Sequence, residues 1–354
     1  MNITKTQTYT RHNPCELTVI SRQQLTTGPS QRHMFEVIVK HDDKLSYKLG
    51  DSIGIFPKNS PEKVNFVIDV LGLSPSYKLY ANKTDEQPIT LYQYLLMHVD
   101  INDSTNLIRD MFPDYSSEYI SWEKINNQRC NKSDAITIVK SLKKIAPRFY
   151  SISSSPHSDE HIHLTIRTDL NKNPGLCSTY LCHENKQNET VYGFIHPTRN
   201  FTFQETDKPV IMIGPGTGIA PFVGYIKQQL LYKKSHQPIW LFFGDRKKSE
   251  DMVYEALLEK AKNKINLKLS LAFSRDQSDK IYVQDLIWKE RQTIFKWMND
   301  NAIIYICGDA SQMAKDVLKT LAEVYAHNNN IPIADAEQHI KSLKRQKQIR
   351  MDVY

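Results

Sequence analysis

Four short stretches hold residue types able to do chemistry. The first is Ile211-Met212-Ile213-Gly214-Pro215-Gly216-Thr217-Gly218-Ile219-Ala220-Pro221. It reads as an apolar β-branched run, then Gly at every second position, then a helix start with Pro in its first turn. Glycines let backbone approach an anion and the helix N-terminus attracts it, so Gly214, Gly216, Thr217 and Gly218 are candidate phosphate ligands. The pattern is neither a full G-x-G-x-x-G nor a P-loop, and a tight structural turn also explains it. The other stretches are Gly244-Asp245-Arg246, Ser274-Arg275-Asp276-Gln277 and Cys307-Gly308-Asp309-Ala310. A Ser-Arg-Asp stretch is as readily a solvated charged loop, and a Cys after a strand is ordinarily packing.

What positions these stretches is their place at the ends of strand-like runs: Val210 to Ile213, Ile239 to Phe243, Leu267 to Phe273 and Ile303 to Cys307. Each run is followed by a helical pattern. Such alternation predicts a doubly wound parallel sheet, which binds ligands at the carboxyl ends of its strands. Upstream, β-rich runs occur at 17–20, 34–39 and 52–56, and return at 148–153, 161–166 and 190–195. Between them Ser60 caps a helix that Gly72 closes, Thr90 opens a second, and Ser133 opens one running to Ile145 ahead of Pro147. The expected fold class is β + α/β. An antiparallel β-barrel over residues 1–58 and 147–207 is split by a helical insertion at 59–146 and followed by an α/β domain at 208–354.

The chain has 354 residues, 40% apolar and 24% charged, so a two-domain globular protein is expected. The formal charge of +7 comes from scattered Lys and Arg, which disfavours a nucleic-acid stripe and equally fits a face for an acidic protein. Five cysteines without a C-x-x-C pair indicate a reduced, cytoplasmic chain with no zinc site. His161 and His163 share one face of an alternating strand and could bind metal, but with no recognised acidic or Cys partner no metal is expected there. No run of 18 apolar residues and no leader-like start occur, so neither a membrane span nor secretion is expected.

Taken in order, Arg148-Phe149-Tyr150-Ser151, the Gly175 to Thr179 turn, the Gly214 to Pro221 loop, Ser274-Arg275 with Lys280-Ile281-Tyr282-Val283-Gln284, the Cys307 to Val317 stretch and Asp352-Val353-Tyr354 resemble the FAD/NADPH half of the diflavin reductases. These belong to the ferredoxin-NADP reductase superfamily. The ending and the Ser-Arg-Asp-Gln phrase are most similar to its sulfite reductase flavoprotein branch.

The resemblance implies that the barrel binds FAD and the α/β domain NADPH. It implies that Arg148, Gly175, Cys177 and Ser178 hold FAD, with Arg148 and Ser178 on its phosphates. Tyr150 would lie on one flavin face, Ser151 near N5, and Tyr354 on the other face as a displaceable cover. Ser274, Arg275, Lys280 and Tyr282 would hold the 2′-phosphate, with Gln284 and Asp309 also on the nucleotide. Ser151, Cys307, Asp352 and Tyr354 would surround the hydride path as catalytic residues.

One departure is Asn200-Phe201-Thr202-Phe203, where the family often has an Arg after Asn-Phe. Another is the stretch before Cys15, far shorter than the order of 150 residues that an FMN domain needs. The expected acceptor is therefore a separate FMN/flavodoxin-like or haem/iron-sulfur redox protein, with sulfite reduction as one use. A ferredoxin- or flavodoxin-NADP reductase or diaphorase, and a non-enzymatic nucleotide-binding subunit, are the competing readings.

Overall fold

The computed structural model describes residues 9–41, 45–82, 85–103, 106–111, 120–126, 131–169, 175–184, 188–232 and 237–354. Cys130 lies outside them.

The chain begins with strands β1 (Cys15–Gln24), β2 (His33–Lys40) and β3 (Ser52–Phe56). Helix α1 (Pro61–Leu71) follows. Ser60 accepts from the Lys63 N–H at its start, and Gly72, at φ +60°, closes it by donating to Asp69 and Ile68. A short ribbon, β4 (Lys78–Leu79) with β5 (Ile89–Thr90), leads into α2 (Leu91–Met97). Thr90 and Gln93 form the capping box that starts α2. Then come α3 (Asn106–Met111), α4 (Trp122–Asn126) and α5 (Lys132–Ser141).

Helix α5 corrects the sequence reading at both ends. Asn131 rather than Ser133 is its cap, accepting from Asp134 N at 2.9 Å. It stops at Ser141 because the next residues pair in extended form with 98–100: Asp100 N donates to Lys143 O and Ile145 N to His98 O.

Strands β6 (Arg148–Ser151) and β7 (Ile162–Thr168), helix α6 (Leu176–Thr179) with a π-helical turn at Tyr180–Glu184, and β8 (Thr190–His196) complete the first half. Six antiparallel strands order as β6-β3-β8-β1-β2-β7. The sheet curls until its edges meet through the Ile152–Leu164 bridge and the Ser153 N to His163 O bond. Inward residues alternate along the strands, as Leu17 and Val19 and as Val37 and Val39, and form one core. The helices between β3 and β6 have a core of their own around Trp122, Leu91, Leu95 and Ile138.

The second half has β9 (Val210–Ile213), α7 (Ala220–Tyr232), β10 (Ile239–Asp245), α8 (Lys248–Asp251), α9 (Glu255–Lys264), β11 (Leu267–Phe273), α10 (Val283–Lys289), α11 (Arg291–Asn299), β12 (Ile303–Gly308), α12 (Met313–Asn329), α13 (Ile333–Arg345) and β13 (Ile349–Val353). Its five strands are all parallel, ordered β11-β10-β9-β12-β13. Both faces are covered, so the inner strands β9 and β12 carry no charged or polar side chain but the Tyr305 hydroxyl and the Cys307 thiol. Met212, Leu241 and Tyr305 face α7 and α9; Ile213, Phe242 and Ile306 face α10 to α13. The first of these cores also takes in Met34, Leu49 and Phe201 from the barrel, which joins the two halves.

Candidate active site

The Gly-rich loop is both a turn and a cradle. A Cβ on Gly218 would lie 2.1 Å from Cys307 O, so this glycine lets the loop press on β12. A Cβ on Gly214 would meet Gly218 O at 2.4 Å. Gly216 has φ +58°, and a Cβ there would only touch Asp245 Oδ2 at 3.7 Å and Arg167 Nη1 at 3.9 Å. Residues Gly216–Ile219 form one 3-10 turn that runs into α7.

Beside the loop, at the carboxyl ends of the parallel strands, is a cleft of about 750 Å³. Of the residues singled out in sequence, Gly216, Thr217, Ser274, Arg275, Lys280, Tyr282, Gln284, Asp309 and Tyr354 line it. Gly214 and Gly218 lie behind it, in the turn's packing. Ser274 is fixed by its N–H and hydroxyl donating to Asp245 O, at 3.0 and 3.3 Å. Arg275 N donates to Arg246 O at 2.8 Å, which tethers the β11 exit to the β10 exit. Asp309 accepts from Gln312 N and Met313 N at the start of α12, and the Gln312 bond, with the Ser311 hydroxyl, holds its carboxyl below the usual range.

Sequence reasoning missed several lining residues. Arg32 and Arg167 come from the barrel, on or beside β2 and β7. Arg246 was recognised only as part of a strand exit. With Arg275 and Lys280 these make five cations around one cleft, a setting for phosphates.

A second group forms on the barrel. Arg148, Tyr150 and Ser151 lie on β6, paired with Ile55, Ile53 and Ser52 of β3. The Tyr150 hydroxyl and Cys177 thiol are hydrogen-bonded, with the Arg148 charge close enough to act on both. Gly175 caps α6 without a side-chain acceptor, so the helix's first N–H groups are not side-chain capped, and Ser178 Oγ donates back to Gly175 O at 2.9 Å. Arg148 is exposed, Phe149 is 51% exposed and Thr179 Oγ1 is buried without a hydrogen-bond partner among the described residues. An anionic diphosphate with a flat ring system fits this surface.

The two groups meet where the halves touch. Ser151 Oγ donates to Asp352 Oδ2 at 2.9 Å, across the boundary. Asp352 sits on β13, which the sequence reading did not recognise as a strand, and the parallel register places it beside Cys307. Ser151 is also near enough to the Cys307 thiol to act on its protonation. Burial pushes the Cys307 thiol well up, with the Asp352 charge adding to it, so this sulfur is a neutral thiol. Burial likewise raises the Asp352 carboxyl, against the Ser151 bond and the His196 charge. Tyr354 follows: its N–H donates to Gly308 O, its carbonyl accepts from Ala310 N, and its hydroxyl is 2.8 Å from Thr217 Oγ1. Tyr354 is 65% exposed and lies near enough to Cys307 and Asp352 for both to act on its hydroxyl.

His163 has acidic neighbours after all. Glu36, across the β2–β7 pairing, places Oε1 3.1 Å from Nδ1, and Asp159 lies 3.7 Å from Nε2. Lys227 of α7 joins the group through Asp159 at 3.1 Å, making it an ionic tie between the halves.

Fold and site together pair a curled antiparallel sheet with a parallel sheet that carries a cation-lined cleft at its carboxyl edge. Residues 7–117 match the FAD binding domain family and 212–319 the oxidoreductase NAD-binding domain family. The chain is thus similar to flavoproteins that join these two domains. It is 32% identical over 98% of its length to the sulfite reductase [NADPH] flavoprotein alpha-component of Vibrio parahaemolyticus. It is 31% identical to the proteins of that name from Aliivibrio fischeri, over 99% of its length, and Buchnera aphidicola, over 98%. The chain spans 59%, 62% and 61% of the length of these relatives.

Proposed function

We propose that the chain is an NADPH-dependent reductase that draws electrons from NADPH through FAD and passes them to a separate redox protein. The observation that carries this reading is the meeting of Ser151, Cys307 and Asp352 across the domain boundary, beneath Tyr354 and at one end of a cation-lined cleft. FAD, when bound, supplies the step between two-electron and one-electron chemistry. The division into FAD-binding barrel (1–58 and 147–207), helical insertion (59–146) and NADPH domain (208–354) belongs to this proposal.

The residues have distinct tasks. Arg148 and the α6 start hold the FAD diphosphate, while Tyr150 packs on the ring system. Arg275 and Lys280 take the 2′-phosphate, and Thr217 and the Gly216 backbone approach the pyrophosphate. Tyr354 occupies the place the nicotinamide must enter and withdraws from it. Ser151 and the Cys307 thiol, both neutral, line the nicotinamide's reacting edge, and Asp352 fixes the Ser151 hydroxyl. Closing this edge within the domain joint keeps water from it.

The named relatives are alpha-components, which supports transfer to a partner carrying FMN, haem or an iron-sulfur centre, with sulfite reduction as the final use. The net charge of +7 suits an acidic partner. No helix among the described residues is long and apolar enough to cross a membrane, and the described cysteines are free; both accord with a cytoplasmic enzyme.

The test is anaerobic stopped-flow absorbance of the FAD-loaded protein mixed with NADPH or with NADH. Fast bleaching of the flavin band with NADPH and much slower bleaching with NADH is expected. A flavin reduced by neither nucleotide refutes the reading.

A further inference from the structure

Asp245 closes β10 beneath the cleft, and no task above uses it. Its side chain is 0% exposed. Oδ1 is engaged twice, accepting from Arg32 Nη1 at 3.1 Å and from the Arg246 N–H at 2.9 Å. Oδ2 has no hydrogen-bond partner among the described residues and lies 3.7 Å from where a side chain on Gly216 would start. Burial raises this carboxyl more than Arg32 lowers it. A buried carboxylate with an orphan oxygen weakens a fold, so stability does not account for an ionisable group here.

The groups above it do. Arg246 and Arg275 both donate through Nη1 to Gln31 Oε1, at 3.1 and 3.5 Å. Arg246 is held below its ordinary pKa by burial and by the charges of Arg32 and Arg275, so these cations oppose one another. Guanidiniums this close splay apart unless anchored. Arg32 belongs to the β1–β2 connection of the barrel, which reaches over to the parallel half: Thr27 N donates to Glu250 O at 2.9 Å, and Ser30 Oγ donates to Asp251. Gln31 of this connection meets Arg246 and Arg275 through a neutral amide oxygen, whereas the Asp245 tie holds the connection's own cleft-lining cation, Arg32, by a charged pair.

We propose that Asp245 is a positioning residue for nucleotide recognition: its carboxylate holds Arg32 across the domain boundary so that the guanidinium faces the phosphates of a bound nucleotide. A guanidinium has five N–H donors, so a tie through Nη1 leaves the fork able to grip a phosphate oxygen. The inference rests on the reading that the cleft takes NADPH.

The experiment separates the two. Wild type, D245N, R32A and the D245N/R32A double variant, each loaded with FAD, are titrated calorimetrically with adenosine 2′,5′-bisphosphate. Failure of the wild type to bind this probe overturns the NADPH reading, and with it the role given to Asp245. With the wild type binding, D245N is expected to weaken the probe by roughly 5- to 10-fold and R32A by at least as much. In the R32A background D245N should change affinity by less than about 2-fold, because the residue it acts through is gone. Equal weakening in both backgrounds, or none in either, means that Asp245 does not act through Arg32. Asn keeps the shape and the Oδ1 acceptor, and melting temperature and FAD content report structural damage. Should D245N fail to hold FAD, R32K tests the tie from the other side; it keeps the charge, loses the fork and should weaken the probe as D245N would. Unchanged affinity in R32K would then overturn the proposal.

Discussion

Replacing Tyr354 by Phe removes one atom and tests how the cleft is covered. The hydroxyl is 2.8 Å from Thr217 Oγ1, while both backbone bonds of the residue, to Gly308 O and from Ala310 N, stay in place. The ring is 65% exposed, so this hydroxyl contact is the specific side-chain tie that holds it over the cleft. A neutral hydrogen bond of this kind contributes about 0.5–1.5 kcal/mol. If the nucleotide must displace the ring, Y354F should tighten NADP⁺ by about 2- to 12-fold. Y354A removes the aromatic stack as well, worth about another 0.5–1.5 kcal/mol, so the combined gain is about 5- to 150-fold. Titration of the oxidised, FAD-loaded protein with NADP⁺, followed by the flavin spectrum, gives the dissociation constants. Unchanged or weaker binding in Y354F would show that the phenol does not hold the cover, and unchanged binding in Y354A would show that the ring covers nothing.

Three further perturbations bear on the same reading. R275A should raise KM for NADPH by about 10- to 150-fold, the worth of one charge-assisted bond, and leave KM for NADH nearly unchanged; steady-state kinetics with both nucleotides decides it. Burial raises the folded-state pKa of Asp352 above its ordinary 3.8, so its contribution to stability is full below that value and is lost as pH rises through the raised pKa. D352N should therefore melt higher than wild type at neutral pH, with the gap closing in acid, while flavin reduction by NADPH slows; a gap that is constant with pH contradicts the assignment. G218A must push a carbon to within 2.1 Å of Cys307 O and should cost about 1–3 kcal/mol by denaturant unfolding, along with much of the NADP⁺ affinity.

The cleft's parallel-sheet side was legible in sequence because its residues follow strands. Gly214 to Pro221, Ser274-Arg275 and Cys307 each come at the end of a largely apolar strand-like run, so local pattern located them before any contact was known. Arg32 and Arg167 were not legible. They arrive from strands of the other half, 213 residues from Asp245 in the first case, and nothing in their neighbourhood marks them. Strand β13 was missed because Ile349–Val353 is five residues long and carries Arg350 and Asp352, yet its register with β12 sets Asp352 beside Cys307. Glu36 was hidden from His163 in the same way, 127 residues distant and brought close through the pairing of β2 with β7, whereas Asp159, four residues away, was within local reach and overlooked. Helix α5 was misjudged at its end because a helix-forming sequence yielded to pairing with residues 98–100.

The strand order says how the cleft can be used. Ser274 and Arg275 follow β11, at one edge of the parallel sheet, and Tyr354 follows β13, at the other. Four strand spacings separate these edges, about 19 Å at the usual interstrand distance. The Gly216–Ile219 turn sits between, after the central β9. A dinucleotide laid along the carboxyl edge therefore meets cations for a sugar phosphate at one end, backbone N–H groups at its middle and the Ser151–Cys307–Asp352 group at the other. Only the last of these includes a β6 residue, and β6 also carries Arg148 and Tyr150. The same strand thus serves the barrel's ring-binding surface and the nucleotide's reacting end. Any movement between the halves must change the distance between them, so the contacts that join the domains also set the geometry for transfer.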